Sequence, residues 1–119
     1  MQRLSHAVLI AVASVTIVFA IVPLAAQTGS GSITGIVRDQ EGAAVPGATV
    51  AVVETRTNIT RIVASTLEGV YTAASLAPGE YRVSVELAGF APVRREGVRL
   101  STGERALLDF DLHVGTQQE

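Results

Sequence analysis

Apolar residues recur at every second position over most of this 119-residue chain. In the stretch GEYRVSVELAGF, residues 79–90, an inward series alternates with an outward one: Tyr81, Val83, Val85 and Leu87 against Arg82, Ser84 and Glu86. Successive side chains of a strand point to opposite faces, so this spacing predicts a half-buried antiparallel strand. Gly, Pro or Asp interrupts the alternation about every ten residues, which is typical of a small all-β sandwich or barrel.

The same alternation predicts which residues of the other strands share a face. These sets are Ile33, Gly35 and Val37, then Ala48, Val50 and Val52, then Tyr71 and Ala73. In the last strand the predicted inward positions are Ala106, Leu108, Phe110 and Leu112. The outward positions of the last strand are Leu107, Asp109, Asp111 and His113. Residues 59–66 form a further strand whose buried face the pattern leaves open. We expect about seven strands in all.

The N-terminal segment has a different pattern. Arg3 precedes an apolar run over residues 7–22, which is followed by Pro23 and by small residues up to Ala26. This layout is typical of a secretory signal peptide, and the helix-breaking proline favours cleavage after Ala26. The alternative is a retained transmembrane anchor of about 20 residues. The predicted division is signal peptide 1–26, flexible leader 27–32, β-sandwich 33–114 and polar tail 115–119.

Composition excludes several classes of function. The formal net charge is −2 and all nine basic residues are arginine, which argues against nucleic-acid binding. The absence of cysteine removes disulfides and thiolate metal sites. The absence of lysine removes the Lys–Asn cross-link of pilin-type sandwiches. Residues 58–60, Asn-Ile-Thr, match a glycosylation sequon, which matters in a eukaryotic secretory route.

The titratable residues do not form a recognisable catalytic or metal site. A zinc peptidase needs two or three converging ligands and a carboxylate, whereas His113 is the single histidine beyond the predicted signal peptide. Asp109 and Asp111 share its face. Three alternate residues of a strand span more than about 10 Å, which is too far for them to share one small metal ion, so we interpret these residues as a solvated polar face. Asp39 and Glu41 could be read as calcium ligands. Acidic residues are common in turns that contain glycine, so we interpret both as turn residues. We predict no catalytic, cofactor-binding or metal residues.

Carbohydrate binding is a weaker alternative. Sugar-binding sandwiches stack the sugar ring on exposed aromatic side chains, and this chain has no tryptophan. Tyr81 and Phe110 occupy inward positions, which leaves Tyr71 and Phe90 as the candidates. For both residues we prefer packing in the core or in a turn.

Three segments in order carry a family resemblance: residues 35–52 (GIVRDQEGAAVPGATVAV), 68–90 (EGVYTAASLAPGEYRVSVELAGF) and 98–112 (VRLSTGERALLDFDL). Their PGA, GxY, PGxY, GF and DFxL elements, spread over residues 31–114, resemble the carboxypeptidase regulatory-like domain. Glu68 departs from the family's usual Asp. The resemblance implies an all-β, seven-stranded antiparallel sandwich of transthyretin-like (prealbumin-like) fold, here preceded by a signal-peptide helix.

The resemblance also implies a function. Similar domains follow the catalytic unit of some zinc carboxypeptidases and stand at the N-terminus of many TonB-dependent outer-membrane receptors. We therefore expect an exported, non-catalytic structural or interaction module of the bacterial envelope, in the periplasm or at the outer membrane, either alone or as part of a receptor. Its expected partner is a protein paired at a sheet edge, with carbohydrate as the alternative. No cofactor is expected.

Overall fold

The structure is a computed structural model, and it describes residues 17–18 and 29–115. The predicted signal peptide, apart from Ile17 and Val18, its cleavage point after Ala26 and the tail beyond Gly115 lie outside the described residues. Within the described part of the chain, no helix is long and apolar enough to cross a membrane.

In the part of the chain that the structure describes, eight β-strands form two four-stranded sheets. The strands are β1 (Gly31–Asp39), β2 (Thr49–Glu54), β3 (Thr60–Ala64), β4 (Val70–Leu76), β5 (Gly79–Glu86), β6 (Val93–Leu100), β7 (Arg105–Leu107) and β8 (Phe110–Leu112). In the first sheet β1 lies between β4 and the pair β7 and β8, and the second sheet has the order β3-β2-β5-β6. The predicted all-β class is confirmed, and β1 begins at Gly31, inside the segment predicted as a leader.

Two details differ from the predicted seven-stranded antiparallel sandwich. The last predicted strand is divided into β7 and β8, and both of these run parallel to β1. The direction follows from where the chain enters β7: Ser32 N donates to Glu104 O at 2.9 Å and Gly103 N donates to Gly29 O at 3.1 Å. Because β7 begins beside the start of β1, the two strands must share a direction. The other strand pairs are antiparallel.

The two sheets enclose a core built from residues that the alternation places on common faces. The residues predicted to share a face in β1, β2 and β4 are all buried, and so are the predicted inward residues of β5 except Leu87, which follows β5 and is half-buried. The outward Glu86 is exposed. A fully buried aliphatic side chain stabilises the fold by about 1.5–3 kcal/mol, so this core accounts for most of the driving force. The structure also resolves the open face of β3, since Val63 packs against the core while Ile62 is 65% exposed.

The interruption between β7 and β8 is held by specific hydrogen bonds. Leu108 N donates to Thr34 O at 2.8 Å, and the next residue, Asp109, accepts Ile36 N on its carboxylate Oδ1 at 2.9 Å. A side-chain oxygen therefore takes the place of a backbone acceptor beside β1. The β1 edge stays paired although the neighbouring strand is broken.

The Leu108 carbonyl points into the sandwich, over Gly35. A Cβ at Gly35 would overlap that carbonyl oxygen, so only glycine fits there. The Tyr71 hydroxyl donates a hydrogen bond to the same oxygen, and the Tyr71 ring lies 6.1 Å from the Phe110 ring. The interruption between β7 and β8 is thus stabilised by contacts within the core.

Candidate functional site

The acidic residues and the histidine of the last strand have separate neighbours. Asp109 lies 3.9 Å from the Arg38 guanidinium, and His113 Nδ1 lies 3.1 Å from Gln40 Oε1. Among residues 17–18 and 29–115, no group of three or more His, Asp or Glu side chains is placed to hold a metal ion.

Asp39, the calcium candidate with Glu41, organises the turn after β1. Its Oδ1 accepts the backbone N–H groups of Glu41 and Ala43 at 2.9 and 3.0 Å. Asp39 N also donates to Ala43 O at 2.8 Å. These bonds are those of an Asx turn, in which the carboxylate serves the backbone.

The two candidate sugar-stacking aromatics lie in different environments. Tyr71 is buried, so the alternative that gave it a sugar-binding role is wrong and the packing interpretation is correct. Burial, with a further contribution from Asp109, raises the pKa of the Tyr71 hydroxyl far above its usual range, and Arg95 opposes the rise. Phe90 is half-buried and lines an open pocket of about 620 Å³ that also includes Thr49 and Glu86.

A smaller pocket of about 190 Å³ is lined by residues of β2, β3, β4 and β5 and of the adjoining loops. Glu54 is only 8% exposed there and accepts a hydrogen bond from the Thr57 hydroxyl at 3.1 Å. The Tyr81 hydroxyl donates to Ala77 O at 2.6 Å. Burial raises the pKa of Tyr81, Glu54 adds to the rise and Arg61 opposes it. These groups bond to the protein itself and anchor the loops before β3 and β5.

The remaining candidate sites are the edges of the sheets. The outer edge of β4 is already occupied. Thr66 bonds both backbone groups of Val70, donating from its N–H at 2.8 Å and accepting on its hydroxyl at 3.2 Å. The Ala74 carbonyl accepts the Arg61 guanidinium at 2.5 Å. An additional strand would have to displace these contacts.

The edge at β6 is blunted by a bulge and a charge. The register against β5 shifts between Tyr81 and Val83, and Gly97 within the shift has φ 68°. Arg95 pairs with Val83 and therefore points to the inner side, where its guanidinium lies 5.5 Å from the centre of the Phe110 ring. Bulges and inward-pointing charges are devices that prevent edge-to-edge pairing.

Arg61 and Arg95 each connect an edge strand of the second sheet with the facing edge strand of the first sheet. Arg61 lies opposite Val52 and reaches β4, while Arg95 reaches β8. The alternation in the sequence predicted neither residue, because it left the buried face of β3 open and gave no side-chain direction in β6. The signal that could have found them is an arginine at a position where the alternation calls for an apolar residue.

The edge at β3 has no bulge, and its one inward-pointing charge, Arg61, is bonded to the Ala74 carbonyl within the same sandwich. Glu54 N donates to Ile59 O and Ser65 N donates to Ala48 O, so residues 59, 61, 63 and 65 bond to β2. By antiparallel alternation, Thr60, Ile62 and Ala64 turn their N–H and C=O groups to the outer edge. The side chains of these three residues are uncharged and exposed, and they lie on the outer face. Strand β3 runs for five residues without a bulge.

The edge formed by β7 and β8 is the least regular of the four. Each strand has three residues, and Leu108 and Asp109 interrupt the run between them. Short, broken strands offer a poor template for pairing. Among the sheet edges of the described residues, β3 is therefore the one that best fits an additional strand.

Two facing sheets, a valine-rich core and short antiparallel strands define a β-sandwich module. A family model of the carboxypeptidase regulatory-like domain matches residues 32–113. The chain belongs to this family, which confirms the resemblance seen in the sequence. No curated protein sequence matches the chain.

Solved structures share the fold at low identity. A "putative carbohydrate binding protein" from Bacteroides uniformis has 23% identity and a TM-score of 0.58 over 71% of this chain and 41% of its own. A cohesin–X-dockerin complex from Acetivibrio cellulolyticus has 14% identity and a TM-score of 0.59 over 71% and 58%. Catechol 1,2-dioxygenase from Acinetobacter radioresistens has 12% identity and a TM-score of 0.60 over 80% and 55%. The chain spans less than two thirds of each of these proteins.

Proposed function

We propose that this chain is an exported, non-catalytic interaction module of the bacterial cell envelope, and that it docks an extended protein segment along β3. The observation that carries the proposal is the open edge of β3, beside three edges that are occupied, blunted or broken. Membership of a family named for regulatory-like domains supports a non-catalytic role.

An incoming strand would bind by extending the second sheet. The outward-turned backbone groups of Thr60, Ile62 and Ala64 supply donors and acceptors for an antiparallel partner. Each bond made contributes about 0.5–1.5 kcal/mol net. Ile62 and the neighbouring Ala51 on the outer face favour a partner with apolar side chains on that face.

The envelope location is the part of the proposal that rests on the sequence. The basic start, apolar run and small residues before Gln27 favour export. Within the envelope, the family resemblance favours a position in the periplasm or next to an outer-membrane receptor, where the partner is a neighbouring domain or another envelope protein.

Photo-crosslinking in living cells tests the docking edge. A photoreactive residue replaces Ile62 in the full chain, and a second version carries it at Leu107, which is 76% exposed on the other sheet. We expect a protein adduct from position 62 and much less from position 107. Equal adducts from both positions, or none from position 62, would contradict the proposal.

Carbohydrate binding is the alternative that one observation favours. Phe90 lines the pocket of about 620 Å³ together with the polar residues Thr49 and Glu86, and an aromatic residue beside polar ones is a combination that suits a sugar ring. The proposed function predicts no saturable binding on a glycan array. Saturable binding that Phe90→Ala abolishes and Leu107→Ala retains would favour the carbohydrate role instead.

A further inference from the structure

The charges along the sheet edges decide which of them can meet a second copy of this chain. Strand β6 carries three exposed arginines, Arg94, Arg95 and Arg99, against one acid, Glu96, so two copies paired there would bring together an excess of positive charge. Like charges directly opposite one another across two strands are destabilising. The outward side chains of β3 are a threonine, an isoleucine and an alanine, which carry no charge. The edge at β3 is therefore compatible with itself.

We propose that two copies of this chain associate through an antiparallel pairing of β3 with β3, with the two-fold axis at Ile62. The inference rests on the proposed role of β3 as a docking edge, and it names the occupant as a second copy. A two-fold interface places the same patch of both molecules in contact. The pairing joins two four-stranded sheets into one continuous sheet.

The register follows from the free backbone groups. With the axis at Ile62, this residue faces its own counterpart, and Thr60 faces Ala64 of the other copy. The N–H and C=O groups of all three residues turn to the edge, so these positions become hydrogen-bonded pairs with Cα atoms about 5.5 Å apart. The two Ile62 side chains, each 65% exposed in the single chain, then cover one another.

The charged residue of β3 does not oppose this pairing. Arg61 points to the inner side and donates to the Ala74 carbonyl at 2.5 Å within its own sandwich. In the pair, Arg61 lies opposite Val63 of the second copy. Both guanidinium groups are therefore directed away from the two-fold axis.

Analytical ultracentrifugation of the full exported chain tests the association. We expect the wild-type protein to show a concentration-dependent dimer. Ile62→Lys places two ammonium groups at the axis and removes the mutual cover of the two isoleucines, which together raise the dissociation constant about tenfold. Leu107→Lys makes the same change on the other sheet and leaves the constant unchanged. Matching melting temperatures for the two variants show that both are folded.

A single cysteine gives a second readout. The chain has none of its own, and a Cα separation of about 5.5 Å fits a disulfide. Under mild oxidation, Ile62→Cys forms a cross-linked dimer much faster than Leu107→Cys. Equal rates, or a wild-type chain that stays monomeric at every concentration, would overturn the dimer.

The two tests separate this inference from the proposed function. A monomeric chain that still yields a position-62 adduct with a different protein refutes the dimer and keeps the docking edge. A monomeric chain with no adduct at position 62 refutes both. An adduct with twice the mass of the chain supports both.

Discussion

Among the described glycines, Gly35 is the one at which an added Cβ would meet its neighbours most closely. Its missing side chain allows the Leu108 carbonyl to enter the sandwich and accept the Tyr71 hydroxyl. The alternation predicted that Gly35 shares a face with Ile33 and Val37, but it could not predict what fills the space beside it, because Leu108 is far away in the sequence. A glycine at an inward strand position signals close approach without naming the neighbour.

We predict that Gly35→Ala destabilises the domain by about 1–3 kcal/mol or more, because the new methyl group overlaps the Leu108 carbonyl, which accepts the Tyr71 hydroxyl and whose residue is also held by its N–H bond to Thr34 O. Urea unfolding followed by circular dichroism measures the change. The control is Gly29→Ala, whose Cβ lies at ordinary contact distance, 3.7 Å, from Gly103. Equal stability of the two variants would show that Leu108 does not press on Gly35.

The strands differ in how well the alternation of their residues predicted the buried face. Strand β5 followed the alternation completely, because it is central and its inner face is buried. Strand β3 has one half-buried residue and Arg61 on its inner side, so no apolar series marks its face. In β6 the bulge at Gly97 shifts the phase by one residue. Edge strands therefore resist prediction, since protection of an edge requires breaks in the pattern.

We predict that Arg95→Val allows copies of the chain to associate through the β6 edge. The variant removes the inward charge while a valine still packs beside Val83 and Phe110, so the fold should persist. In the Ile62→Lys background, where β3 is blocked, light scattering should rise with concentration for Arg95→Val. The matched control is Arg94→Val, which changes an outward arginine on the same strand. If both variants scatter equally, surface hydrophobicity explains the effect and the inward charge has no protective role.

At the scale of the whole molecule, the sequence predicted the family and the all-β class, and the match over residues 32–113 confirms the family. The choice of docking edge could not be predicted, because it depends on which backbone groups are already bonded. Those bonds join residues far apart in the chain, such as Arg61 and Ala74. A sandwich with one open edge suits a module that acts by binding.

The N-terminal segment bears on the location of the whole molecule. We predict that the exported protein begins at Gln27, because small residues precede that position and Pro23 ends the apolar run. Intact-mass spectrometry of the protein recovered outside the cytoplasm measures the start directly. A chain that retains Met1 and fractionates with the inner membrane would identify the apolar run as an anchor instead.

Amide hydrogen exchange along β3 tests most directly the claim that its free edge is the docking surface. The amides of Arg61 and Val63 bond to β2, so they should exchange slowly in both the free and the associated protein. Those of Thr60, Ile62 and Ala64 should exchange fast in dilute protein and become slow upon association. If Ile62 exchanges as slowly as Val63 in dilute protein, or as fast in the associated state as in the free one, β3 is not the docking edge.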